Sequence, residues 1–142
     1  MKLIIFFKLF LFASMSFAIG WEEVPREISE KRGISINSEP NQSGGCHKFR
    51  ISLPSKLHFS ELGERKFWSA TYKVVSEKTR GWQLASKGTQ VALPSRPDGR
   101  SVRIDGLCLS DSDLHSAYIS TVYGGSQGIS PMIILLNLDA YK

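Results

Sequence analysis

Cys46-His-Lys-Phe-Arg-Ile-Ser-Leu53 decides the fold class of this chain. Phe49, Ile51 and Leu53 alternate with Lys48, Arg50 and Ser52, and Pro54 follows. Successive side chains of an extended strand point to opposite faces, so a period of two puts the apolar set on one side and the cations on the other. A helix would scatter the same residues around its axis. The segment therefore predicts a strand buried on one face, ended by a residue that cannot donate to a ladder.

The same reading extends along the chain. Phe67-Trp-Ser-Ala-Thr-Tyr-Lys-Val-Val75 is expected to gather Trp68, Ala70, Tyr72 and Val74 on one face. Gly81 to Ala85 and Thr89 to Leu93 form two short runs around Ser86-Lys-Gly88, which suits a hairpin turn. Pro94 to Gly99 reads as a turn, Ser101 to Leu109 as a strand interrupted at Gly106, and Leu114 to Tyr123 as a β-branched and aromatic strand. Met132-Ile-Ile-Leu-Leu136 is apolar throughout, as expected of a central strand buried on both faces. Ile34-Ser-Ile-Asn37 alternates and is a candidate first strand. No long amphipathic helix is evident. These segments predict an all-β, single-domain, mainly antiparallel β-sandwich or small β-barrel of about seven or eight strands. The core is expected over 46–142, with 19–45 a short polar N-terminal arm and loop.

The first eighteen residues have a different character. Lys2 and Lys8 flank an apolar run that continues from Leu9 to Phe17, and small Ser16 and Ala18 stand three residues and one residue before Ile19. That layout predicts a signal peptide over 1–18 cleaved between Ala18 and Ile19, hence an exported protein of the periplasm or the extracellular space with no transmembrane segment once mature. Setting residues 1–18 and their two lysines apart leaves 124 residues with net charge +3. Cys46 and Cys108 are the only cysteines. In an oxidising compartment an even count predicts a disulfide. It would close a loop of about 62 residues and contribute roughly 4 kcal/mol on the chain-entropy model. Although His47 adjoins Cys46, neighbours on a strand face opposite ways, which argues against a catalytic thiol.

No catalytic motif is assembled along the sequence. His47, His58 and His115 lack any metal-binding spacing, and Asp111-Ser-Asp113 lacks the fuller ligand series of a calcium loop. No metal or cofactor is therefore expected. There is no nucleophile elbow around any serine. Glu61, Glu64, Asp98 and Asp105 stand in polar contexts and read as solvated carboxylates. Gly124-Gly-Ser-Gln-Gly128 does not lead into a helix and reads as a hairpin loop, not a phosphate cradle. Arg96, Arg100 and Arg103 surround one turn and strand as a solvated face, and the slight net charge gives no reason to expect nucleic acid.

Trp68, Tyr72, Trp82, Tyr118 and Tyr123 are of the residue types that line ligand grooves and β cores alike. Asn41-Gln-Ser43 is an N-glycosylation pattern. The expectation is an exported noncatalytic binding or interaction module with a protein or glycan partner. Asn37 to Gly45 and Gly124 to Gly128 are natural contact loops. The alternative is a small secreted hydrolase whose acid or His–acid site is assembled only by folding.

Overall fold

The computed structural model describes residues 20–39, 45–60, 62–75, 89–124 and 130–142. The expected signal peptide, the glycosylation pattern, the 81–88 hairpin with Trp82, and most of the 124–128 loop lie outside these residues. The described chain is mostly β and forms two sheets, one of them a curled half-barrel. Its strands are β1 (Gly20–Glu23), β2 (Ser35–Glu39), β3 (His47–Pro54), β4 (Lys56–Phe59), β5 (Gly63–Val74), β6 (Thr89–Ala92), β7 (Arg96–Asp98), β8 (Ser101–Leu109), β9 (Ala117–Tyr123) and β10 (Met132–Asn137). Two short helices, α1 (Arg26–Lys31) and α2 (Asp111–Leu114), and a 3-10 turn over Leu138–Tyr141 complete the described elements.

The large sheet runs β1-β10-β9-β5-β4, with β6 also paired to β5; the small sheet runs β2-β3-β8-β7. All described pairings are antiparallel except β1 with β10. The twelve-residue β5 serves two partners on one side, β4 along its first part and β6 along its last.

The chain passes from one sheet to the other at Pro54-Ser55. Proline ends β3, and Ser55 then donates its N–H to the Arg100 carbonyl while its own carbonyl accepts from the Phe67 N–H. The corner thus keeps its backbone polar groups satisfied by both sheets.

Alternation in β3 does what its sequence requires. Phe49, Ile51 and Leu53 are buried, and they meet Ile104, Leu107 and Leu109 of β8. From the large sheet come Ala70, Ala117, Ile119, Tyr123, Ile134 and Leu136. Tyr123 is fully enclosed and stands edge-on to Phe59 and Phe67, at ring separations of 6.1 and 5.8 Å. Its hydroxyl donates to the Pro54 carbonyl at 2.9 Å, tying the large sheet to the corner. Burial of the phenol pushes its pKa up. In β10, consecutive Ile134, Leu135 and Leu136 are all buried, consistent with a strand covered on both faces.

Four sequence expectations need correction. Over its described residues the 19–45 stretch is not an arm: β1 joins the large sheet, β2 joins the small one, and α1 bridges them. For β1 the reason is backbone pairing with a partner over a hundred residues away, which a four-residue segment does not announce. The turn expected over Pro94–Gly99 contains β7, whose Pro97 is tolerated because β7 is an edge strand. Leu114 belongs to α2, started by the Ser110 side chain accepting from the Asp113 N–H, so the following strand begins only at Ala117. Trp68 does not share the buried face of Ala70, because a bulge intervenes between Phe67 and Ser69.

Candidate functional site: two outward faces

The two sheets turn chemically different faces to solvent. On the large sheet, Trp21, Ile133, Val122 and Ser69 are cross-strand partners in one row across β1, β10, β9 and β5. At the bulge, Trp68 is the extra residue between Phe67, opposite Tyr123, and Ser69, opposite Val122. Trp68 is 65% exposed and Trp21 36%, the two standing at opposite ends of the row. Three inter-strand steps separate their strands, about 14 Å. Ile133 and Val122 between them are half-buried. The bulge re-aims one large aromatic out of the core, where a regular register would have buried it.

The adjoining part of the same face is closed. Leu135 and Val75 form a small second apolar cluster with Tyr118 and Ile133 against it, and Ser120 and Lys73 are buried beside them. Desolvation at Lys73 disfavours its ammonium form and lowers its pKa. The open tryptophan row therefore borders a region that is already covered.

On the small sheet, the outward rows are Glu39–Lys48–Cys108, Asn37–Arg50 with Asp105, and Ser35–Ser52–Arg103–Arg96. The register shifts between Phe49 and Ile51, so that Asp105 and Gly106 both oppose Arg50. Gly106 adopts φ +85°, a left-handed conformation that glycine enters without the Cβ penalty. This bulge carries Asp105 into reach of three guanidiniums: Arg96 Nη2 to Oδ2 at 2.9 Å, Arg103 Nε to Oδ1 at 3.2 Å, and Arg50 Nε to Oδ1 at 3.7 Å. Arg50 also stands 3.6 Å from Glu39. A groove of about 340 Å³ runs between Glu39, Lys48, Arg50, Arg103, Asp105 and Gly106.

Cys46 and Cys108 are joined by a disulfide at the rim of this face, with Cα atoms 5.4 Å apart. Cys108 is exposed and lies opposite Lys48, so the bridge ties the lead into β3 to β8 from the solvent side rather than stapling the two sheets together. His47 and Asp111 are paired through Nε2 and Oδ1 next to it, and His115 Nδ1 lies 3.4 Å from Asp139 Oδ1. The Asp111 side chain is 87% exposed, and neither pair lines any of the described grooves. Both are surface contacts between an imidazole and a carboxylate. Lys142 also contacts Asp139, and this hydrogen bond is the main cause of the lowered pKa of that carboxyl.

His58 faces Glu64 across β4 and β5, away from the other two histidines. No group of three or more His, Cys, Asp or Glu side chains fit to hold a metal ion occurs among the described residues. Sequence reading singled out Arg96 and Arg103 but missed Arg50 and Asp105 as their partners. The one available signal was Asp105-Gly106, a glycine breaking an alternating run.

Comparison with protein families, curated proteins and solved structures finds no match to this chain.

Proposed function

We propose that the chain is an exported, noncatalytic interaction module of the periplasm or extracellular space that docks a protein partner on its tryptophan face. The observation that carries the reading is Trp68, displayed by a bulge at 65% exposure in the same cross-strand row as Trp21 on the outer face of the large sheet. Large aromatics supply much contact area at little conformational cost, and exposed Trp is enriched among the residues that dominate protein interfaces. Two exposed tryptophans flanking half-buried Ile133 and Val122, beside a region that is already covered, support a contact surface. Export is supported by the leader pattern of residues 1–18 with its Ala18–Ile19 cleavage site, and the disulfide suits an oxidising compartment. No described helix is long and apolar enough to cross a membrane.

The test is affinity capture from the host envelope fraction by immobilised residues 19–142, using wild type and the W21A/W68A double variant at matched folding. A defined protein retained by wild type and lost with both tryptophans supports the reading. The same proteins retained equally by both would overturn it.

A further inference from the structure

We infer that the arginine face of the small sheet is a second, separate binding surface, and that it takes an anionic polysaccharide bearing sulfate or carboxylate groups. Lys48, Arg50, Arg96 and Arg103 share the face with Asp105 and, toward its margins, Glu39 and Asp98, leaving an excess of one positive charge that is concentrated at the three arginines. Asp105 occupies the centre of the arginines without exhausting them. Each guanidinium carries five N–H donors, whereas one carboxylate offers about four lone-pair sites. The three arginines come from three adjacent strands and are already drawn toward one oxyanion. Much of the conformational cost of gathering them is therefore met before any ligand arrives. Arginine is also the side chain best matched to planar, bidentate recognition of oxyanions.

The rest of the face selects among polyanions. Its outward positions are Ser35, Asn37, Ser52 and Ser101, with Asp98 and Glu39 toward the margins and no aromatic among them. Binding of single-stranded nucleic acid relies on aromatic platforms under the bases and a groove of continuous positive charge. Here Phe49 of the small sheet is buried in the core, the exposed tryptophans are on the other sheet, and the carboxylates would repel an unbroken run of phosphates. A sugar chain with sparser charge suits the mixture. Its sulfates or carboxylates accept from Arg50, Arg96 and Arg103, while its hydroxyls donate to Glu39, Asp105 and the serines. This inference does not depend on the tryptophan face.

The experiment is equilibrium binding of residues 19–142 to dextran sulfate, polygalacturonate, neutral dextran, single-stranded DNA and free sulfate at several salt concentrations. Saturable binding to at least one acidic polysaccharide is expected, weakening with salt, with neutral dextran unbound. R96A/R103A should lower that affinity at least about tenfold, since charge-assisted hydrogen bonds are lost. K56A/K66A removes the same charge from the other sheet and should change it less than about twofold. D105N, which releases the arginines from their internal acceptor, should strengthen binding. Equal loss in the two double variants would overturn the inference. So would DNA binding as tight as the polysaccharides through the same arginines, or free sulfate binding as tightly as the polymers.

Discussion

The large and small sheets solve the same problem, covering one core, yet differ in what their outer faces do with a bulge. In the large sheet the bulge at Trp68 ejects an aromatic residue that the alternation assigns to the interior. In the small sheet the bulge at Asp105-Gly106 draws a carboxylate beneath three arginines. One irregularity makes a face apolar and the other makes a face ordered and cationic. A bulge costs a ladder position and is tolerated where it re-aims a side chain. The two surfaces are thus separately built on a shared interior.

That comparison breaks first if the interior is not shared. Phe49→Ala in the small sheet and Leu136→Ala in the large one should each cost about 3–5 kcal/mol. Both side chains are buried in a single cluster. Each variant should show one cooperative transition by chemical denaturation; two separated transitions would mean that the sheets unfold independently. Next in size is the disulfide. Reduction, or C46A/C108A, should remove up to roughly 4 kcal/mol, read as a lower denaturation midpoint, because the bridge closes a 62-residue separation spanning strands of both sheets.

Gly106→Ala sharpens the comparison within the small sheet. The position has open space for a Cβ but a φ of +85°, so the loss, about 1 kcal/mol or somewhat more, comes from backbone strain alone. Trp68→Ala should change stability by less than about 0.5 kcal/mol, as befits a side chain that faces solvent.

The two faces of the large sheet also differ in their response to pH. Tyr123, on the core side, has a raised pKa, so its contribution is complete below about pH 10 and falls away at higher pH as the unfolded phenol ionises. Lys73, on the outer side, has a lowered pKa. Its unfolded form binds the proton more tightly, so stability rises with pH through the window below about 10.4. Denaturation midpoints from pH 8 to 11 should show Tyr123→Phe blunting the alkaline fall and Lys73→Met removing the preceding rise.

Much of the framework is legible in the sequence. Phe49/Ile51/Leu53 and the continuous Ile134-Leu-Leu136 announce their strands because burial on one face or two writes directly into residue polarity. What alternation does not carry is register. It presumes one residue opposite one residue, and both bulges violate this, so Trp68 is assigned to the wrong face and Asp105 is read as merely solvated. The parallel pairing of β1 with β10 leaves no local trace either, since its ladder hydrogen bonds are made by backbone. The arginine face joins Arg50 to Asp105 across 55 positions, a contact that exists only once β3 and β8 are paired.

The central claim, that partner docking belongs to the tryptophan face and not to the small sheet, is tested most directly by one capture measurement. Wild type, W21A/W68A and R96A/R103A are immobilised side by side, and envelope proteins retained by each are quantified. A protein partner lost with the tryptophan pair and kept with the arginine pair is the expected result. Loss in R96A/R103A with full retention in W21A/W68A would contradict it.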